Sequence, residues 1–289
     1  MTAVTPAALG LVLAAAAAHA TWNLLLKRAG GGGAFVWLTG WVSAVLYAPL
    51  AAAVILWQRP HLGWIQWAFI AGTVGFHVVY FLMLQGAYAV GDLSLVYPIA
   101  RGTGPLLSAA AAIAFLGERP TPIGIVGILL IVAGVLLLAG THGPVRRPDL
   151  RHAVAYACAI GVVIAAYTLW DQRAVTVLAI PPILYEWSGD LGRAIALTPV
   201  AAARWSTVRE LWAARRWELI GTGVLSPLAY ILVLTALVFT PVIYVAPARE
   251  ISILVGTLMG ARLLAEGDAR RRVAAAAAMF VGLVALVIR

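Results

Sequence analysis

The sequence contains little charge. Only 11% of its 289 residues are Asp, Glu, Lys or Arg, and Lys27 is the single lysine. Whole stretches have no charged residue, among them residues 34–57 and 64–90, and each exceeds the roughly 20 residues that a helix needs to cross a bilayer. Apolar residues make up 63% of the chain, against roughly 45 to 50% in soluble domains. This composition excludes a soluble enzyme and predicts a polytopic helical membrane protein.

Cysteine is almost absent as well. Cys158 is the only one, so the chain forms no internal disulfide, and no Cys or His accompanies it at metal-ligand spacing. The sequence also lacks a phosphate-binding Gly-Lys-Ser/Thr loop, a His-Glu-x-x-His pair and a Gly-x-Ser-x-Gly elbow. We therefore expect no metal, no cofactor and no enzymatic activity.

Ten segments are long and apolar enough to span a membrane. They lie at about residues 5–26, 34–57, 66–90, 93–117, 122–140, 152–172, 181–203, 218–239, 243–264 and 273–288. The rest of the chain is divided among short loops and tails, which leaves no room for a soluble domain. The predicted fold class is an all-α integral membrane protein of ten helices, with its function inside the helix bundle or in its short loops.

Most cations lie at the ends of the predicted spans. The net charge is +9, but positions at span ends are typical of residues that face lipid headgroups. We therefore expect the bilayer, and no nucleic acid, as a partner. The loops after the odd-numbered spans carry twelve cations and the opposite side carries four. The positive-inside rule then predicts both termini outside the cytoplasm.

The chain matches itself at an offset of 148 residues. Shifted by that distance, Trp22-Asn23 falls on Trp170-Asp171, Arg101 on Arg249, Glu118 on Glu266 and Gly134 on Gly282. These matches predict two copies of a five-span unit, residues 1–141 and 149–289. Because five is odd, the second copy enters the membrane from the opposite face, as in inverted-repeat transporters.

The conspicuous motifs resemble the EamA repeat of the drug/metabolite transporter superfamily. They are His19-Ala20-Thr21-Trp22-Asn23 with Lys27, Tyr97 to Pro105, Leu116-Gly117-Glu118-Arg119, Tyr244 to Glu250, and Leu264-Ala265-Glu266. The resemblance implies two five-helix bundles around a cavity lined chiefly by helices 1, 3, 4, 6, 8 and 9, in a multi-pass protein of the plasma membrane. Its eukaryotic members are usually drawn with both termini cytoplasmic, opposite to the charge count, so orientation stays open. A homodimer is one oligomeric state that we allow for.

Two arginines are predicted to bind substrate. Arg101 and Arg249 lie inside the fourth and ninth spans, where a charge costs about 2.5 to 3.5 kcal/mol, and each follows a helix-weakening proline. A guanidinium pairs bidentately with carboxylate or phosphate. The alternative is that each arginine is paired internally, Arg249 with Glu250 or another acid, and only braces the bundle. Further substrate-binding candidates, for which packing is the alternative, are Trp22, Asn23, His77, Tyr80, Tyr97, Tyr167, Tyr230 and Tyr244.

The seventh span carries the densest intramembrane charge. Glu186, Asp190 and Arg193 are spaced i, i+4, i+7 and share one helix face. A carboxylate in a dry cavity can take up a proton, which makes Glu186 and Asp190 candidates for proton coupling. The alternative is an interfacial salt-bridge ladder, with the helix starting near Asp190 and Glu186 in a loop. Glu118 and Glu266 precede the fifth and tenth helices, where an acid stabilises a helix N-terminus.

Together these features predict a secondary active transporter that exports a small polar metabolite by alternating access at a midplane site. The intramembrane arginines favour an anionic or zwitterionic substrate, such as an amino acid or another carboxylate- or phosphate-bearing compound. One alternative is an exporter of drugs or cationic compounds, which would depend more on Glu186 and Asp190. Less favoured are an intramembrane enzyme acting on a lipid phosphate and a channel.

Overall fold

The computed structural model describes residues 5–30, 32–90, 93–139, 150–255 and 269–287. Within these ranges the chain forms eleven helices and no strand, which confirms the all-α class. The helices are α1 Pro6–Ala29, α2 Gly33–Gln58, α3 Trp64–Val90, α4 Leu93–Leu116, α5 Pro122–Ala139, α6 Leu150–Thr176, α7 Pro182–Ala196, α8 Thr198–Ala202, α9 Trp205–Phe239, α10 Val242–Ala248 and α11 Ala269–Val287. Residues 251–255 are also helical.

Six of the described helices are long and apolar enough to cross a membrane. They are α1, α2, α3, α4, α6 and α9, while α5 and α11 are shorter apolar helices. Large apolar side chains such as Leu56, Phe115 and Phe280 lie on the outer surface, whereas Asp171 and Glu250 are fully buried. This distribution, apolar outside and charged inside, suits a protein whose solvent is lipid.

Three of the ten predicted spans differ from the helices of the structure. The seventh is interrupted at Leu197, between α7 and α8. The eighth starts earlier than predicted and is kinked at Arg215, where the backbone leaves helical geometry (φ −134°, ψ 26°). The ninth is interrupted after α10, one residue beyond Pro247, because proline cannot donate the backbone hydrogen bond that continues a helix.

The two halves of the chain pack through defined helix pairs. α1 packs on α9, α3 on α6, α2 on α7 and α5 on α11. In the predicted duplication, α6, α7, α9 and α11 are the counterparts of α1, α2, α3 and α5. The pairs α2–α7 and α5–α11 each join a helix to its own counterpart. The pairs α1–α9 and α3–α6 are exchanged when every helix is replaced by its counterpart. This is the pattern expected of two copies related by a two-fold axis. The duplication itself stays a prediction.

α5 and α11 approach one another backbone to backbone. A Cβ added at Gly127 would lie 2.7 Å from the carbonyl oxygen of Gly282, and a Cβ added at Gly282 would lie 2.7 Å from that of Gly127. A Cβ at Gly134 would lie 2.9 Å from the Ala275 oxygen. Gly127 and Ala275 are 148 residues apart, and so are Gly134 and Gly282. The offset found in the sequence therefore relates the two contacts to each other.

Glu118 stabilises a helix of the opposite half. Its two carboxylate oxygens accept hydrogen bonds from the backbone amides of Val242 and Ile243, each at 2.9 Å, at the first turn of α10. The N-terminus of α5 is instead capped by the hydroxyl of Thr121, which accepts from the Gly124 amide at 3.0 Å. The predicted helix-capping role fits Glu118, but the helix is α10 and not the adjacent α5. Glu266 lies outside the described residues.

Candidate functional site

The two predicted arginines meet at one buried acid. Arg101 projects from α4, and Arg249 and Glu250 form the interruption after α10, which packs against α4. Arg101 Nε lies 2.9 Å from Glu250 Oε2, and Arg249 Nε lies 3.7 Å from Glu250 Oε1. The side chains are 8%, 7% and 1% exposed for Arg101, Arg249 and Glu250. We call these three residues the arginine cluster.

The arginine cluster is internally paired and still carries net positive charge. Two guanidiniums share a single carboxylate, so one positive charge is left over when all three groups are ionised. Nη2 of Arg249 is buried and has no hydrogen-bond partner within the described part of the chain. The internal pairing proposed as the alternative therefore exists, and the cluster retains the capacity to hold one more anionic group.

Predicted aromatic residues gather beside this cluster. The ring of His77 on α3 lies 4.7 Å from that of Tyr167 on α6 and 5.9 Å from that of Tyr230 on α9, measured between centroids. Tyr80, one turn along α3, contacts Tyr167 at 6.2 Å. Tyr167 and Tyr230 are close enough to Arg249 to interact with it electrostatically. The structure thus brings four predicted residues from three helices into one aromatic group next to a buried cation.

A buried acid that the sequence reasoning did not select lies on the other side of Tyr230. Asp171 on α6 is fully buried. Its Oδ1 accepts a hydrogen bond from the Tyr185 hydroxyl at 2.6 Å, and its Oδ2 accepts one from the Tyr230 hydroxyl at 2.5 Å. Asp171 therefore connects α6 to α7 and α9. The signal that could have found it is its alignment with Asn23 in the internal repeat.

The charged face of α7 forms a second ionic group. One guanidinium nitrogen of Arg193, Nη2, lies 3.3 Å from Glu186 Oε1 and also contacts Asp190 Oδ1. Both acids are buried. Because α7 begins at Pro182, the expectation of a helix starting near Asp190 with Glu186 in a loop is wrong. The salt-bridge ladder is present, but inside the bundle.

Other predicted residues are not part of these groups. Trp22 packs against the ring of His19 at 4.9 Å, and Asn23 donates to the His19 carbonyl oxygen at 2.7 Å within its own helix instead of bonding across helices. Tyr244 packs beside Gly124 of α5. The side chain of Tyr97 lies outside the described residues.

A surface cavity of about 300 Å³ lies away from the predicted substrate residues. It is lined by Gln172, Thr176 and residues 237–241, and it contains none of the arginines or the aromatic group. In the described ranges, no three His, Cys, Asp or Glu residues are arranged to hold a metal ion. The buried ionic and aromatic groups are therefore the stronger candidate site.

Comparison with known proteins identifies the first half of the chain. Residues 6–140 match the EamA-like transporter family. These residues belong to that family. The match confirms, for this part of the chain, the resemblance seen in the motifs, and the family that it identifies is one of membrane transporters.

A solved structure has a fold similar to that of almost the whole chain. This crystal structure superposes with a TM-score of 0.73, covering 96% of this chain and 95% of the other. The two sequences are 17% identical, so the likeness shows the fold alone.

Proposed function

We propose that this EamA-type protein is a secondary active exporter of small zwitterionic metabolites, with amino acids as the first class to test. It works in the plasma membrane by alternating access at the site between the arginine cluster and the α7 acids. The observation that carries the proposal is the separation of opposite charge in the bundle. The arginine cluster has an excess of cations, while the neighbouring group on α6 and α7 has an excess of acids.

The arginine cluster suits the acidic end of such a substrate. Glu250 balances one of the two arginine charges, and the remaining charge favours a carboxylate or phosphate. The Nη2 group of Arg249, buried without a described hydrogen-bond partner, is a donor that an incoming anion would satisfy. A buried donor left unsatisfied is costly, so anion binding there is favourable.

The acidic group suits the amino end. Asp171, Glu186 and Asp190 face a single described cation, Arg193. An ammonium group would reduce this excess of negative charge. His77, Tyr167 and Tyr230 lie between the two groups and supply an apolar and aromatic wall for the body of the substrate.

The test is uptake of radiolabelled compounds into proteoliposomes, with and without a pH gradient. The panel contains L-amino acids, the amine that remains when the carboxylate of each is removed, and the acid that remains when the amino group is removed. Unlabelled analogues compete against each labelled compound. We expect the intact amino acid to compete best, because only it contacts both charged groups. Liposomes without protein give the background.

The same panel discriminates the other functions. Strongest competition by the amine would instead favour an exporter of cationic compounds, which the acids on α6 and α7 also suit. Chromatography of the recovered label separates transport, in which the compound is unchanged, from enzymatic turnover. No saturable uptake of any compound in the panel would contradict the proposal.

A further inference from the structure

The buried ionisable groups of the described bundle do not balance. Apart from Glu118, which caps α10, four acids lie in the interior, namely Asp171, Glu186, Asp190 and Glu250. They face three arginines, Arg101, Arg193 and Arg249. If all seven groups are ionised, one negative charge is left uncompensated. An isolated charge is very costly in a membrane interior, so these groups favour the uptake of one proton.

The contacts indicate which of the four acids takes that proton. Glu250 is paired with two arginines, and Glu186 and Asp190 both contact Arg193. Asp171 has no ion pair within the described residues, and its hydrogen-bond partners are tyrosine hydroxyls. A carboxyl that interacts with neutral donors loses less interaction energy on protonation than a carboxyl that is paired with a guanidinium. The proton therefore belongs on Asp171.

We propose that Asp171 is the proton-carrying residue of this transporter, and that its protonation turns the proton of the Tyr185 hydroxyl from Asp171 to the backbone of α3. This inference rests on the proposed transport function, whose coupling ion it names. The sequence had suggested Glu186 and Asp190 for this role. Their shared contact with Arg193 makes them the less suitable pair.

The geometry of Tyr185 supplies the switch. Its hydroxyl lies 2.6 Å from Asp171 Oδ1 and 3.4 Å from the carbonyl oxygen of Phe69 on α3. In the ionised state the hydroxyl donates to Oδ1. When a proton from solvent binds Oδ1, that oxygen becomes the donor, the tyrosine oxygen accepts, and the tyrosine proton turns to the Phe69 oxygen. No proton is lost, and α7 gains a hydrogen bond to α3.

The switch joins a region in which α3 and α6 are already tightly packed. The ring of Phe69 stacks on Trp170, the residue before Asp171, with centroids 4.0 Å apart. The indole nitrogen of Trp170 donates to the same Phe69 oxygen at 2.9 Å. A carbonyl oxygen has two lone pairs, so it can accept from Trp170 and Tyr185 together. Protonation thus strengthens the contact of α7 with α3, while the hydrogen bond between α7 and α6 is kept with its direction reversed and without the charge of the carboxylate.

Several charged or titratable groups lie on the helices around Asp171. They are His77 on α3, Arg101 on α4, Tyr185, Glu186, Asp190 and Arg193 on α7, Tyr230 on α9, and Arg249 with Glu250 after α10. The neutral hydroxyl of Thr73 also interacts with Asp171. Any titration assigned to Asp171 must therefore be separated from that of the neighbouring acids.

Infrared spectroscopy of the purified protein tests the proton site without a substrate. The carbonyl stretch of a protonated buried carboxyl should appear as the pH is lowered and should be missing in Asp171→Asn. Asparagine keeps one acceptor and one donor in place of the protonated acid, so this variant is expected to fold. Glu186→Gln and Asp190→Asn are the matched comparisons and should retain the band. A band that persists in Asp171→Asn, or disappears in either comparison variant instead, overturns the assignment.

Transport separates this inference from the proposed function. In proteoliposomes supplied with the labelled L-amino acids of the panel, a pH gradient should no longer raise the accumulation by Asp171→Asn above the level that the same variant reaches at equal pH. Tyr185→Phe should keep the infrared band but also lose gradient-driven accumulation, because the switch hydroxyl is gone. Gradient-driven transport that survives in Asp171→Asn overturns the inference and leaves the proposed function standing. An Asp171-dependent band in a wild-type protein that transports no compound of the panel contradicts the proposed function alone.

Discussion

Arg101 meets Glu250 through Nε at 2.9 Å, and Glu250 also contacts Arg249. This shared acid makes Arg101 open to mutational analysis, because Glu250 keeps a cationic neighbour when Arg101 is replaced. A bracing role and a substrate-binding role then predict different outcomes. The first affects folding, and the second affects affinity in a folded protein.

We expect Arg101→Gln to weaken substrate binding by roughly 10- to 150-fold, the equivalent of losing one hydrogen bond to a charged group, about 1.5 to 3 kcal/mol. Arg101→Lys keeps the charge without the planar fork and should weaken binding less. The measurement is the affinity of the detergent-purified protein for the amino acid that is transported best. Arg119→Gln, the same change at an exposed arginine, is the control. Unchanged affinity in Arg101→Gln would reject direct contact, and loss of folded protein would indicate bracing.

The sequence predicts part of this site from residue chemistry alone. Arg101 and Arg249 stand out because a charge inside an apolar span is rare and costly. Asp171 and Tyr185 do not stand out in the same way. Asp171 lies near the predicted end of its span, where an acid is common, and Tyr185 is one of nine tyrosines. Asp171 and Tyr185 belong to the site because α6 contacts α7 and α9. No local sequence pattern predicts those contacts.

At the level of helices, hydropathy predicts where the chain crosses the membrane but not where a crossing is interrupted. The interruption at Leu197 lies within residues 194–202, none of which is charged, so the average hydropathy gives no sign of it. The interruption at Arg249 is similar, although Pro247 gives a local signal. Pro98 gives the same signal, yet α4 continues through it from Leu93 to Leu116. Tertiary packing decides between the two outcomes, and packing cannot be read from a window of sequence.

The contact between α5 and α11 gives a prediction at this level. Gly282→Ala should lower stability by about 1 to 3 kcal/mol, the usual cost of overpacking, because the new methyl group would meet the Gly127 carbonyl oxygen at 2.7 Å. The measurement is the apparent Tm of the purified protein in detergent.

Gly10→Ala is the matched control for this substitution. Gly10 lies inside α1, and a Cβ added there has no neighbour within 4 Å. The exchange should be neutral or raise the Tm, because alanine favours helix by roughly 0.5 to 1 kcal/mol over glycine. Equal stability of Gly282→Ala and wild type would show that α5 and α11 are farther apart than their backbones indicate.

At the scale of the whole molecule, the α5–α11 contact and the α2–α7 contact have different roles in the proposed transport cycle. Each pair joins counterparts of the predicted repeats. The backbones of α5 and α11 touch, which suits a permanent contact. α2 packs on the helix that carries Glu186, Asp190 and Arg193. If the two halves rock about the site, α2 and α7 must move relative to each other while α5 and α11 stay together.

A disulfide between α2 and α7 should therefore stop transport. A Cβ at Gly40 lies 3.2 Å from the Cβ of Ala194, close to the roughly 3.5 to 4.5 Å separation that a disulfide adopts.

Cys158 is the only native cysteine, so Cys158→Ser provides a cysteine-free background for the pair Gly40→Cys and Ala194→Cys. Oxidation of the double variant should abolish amino-acid uptake, and a reducing agent should restore it. Each single-cysteine variant, treated with the same oxidant, should remain active. Full uptake by completely cross-linked protein would mean that α2 and α7 keep their contact throughout the cycle, and the movement would then have to lie at other contacts between the halves, such as α1–α9, α3–α6 or α4–α6.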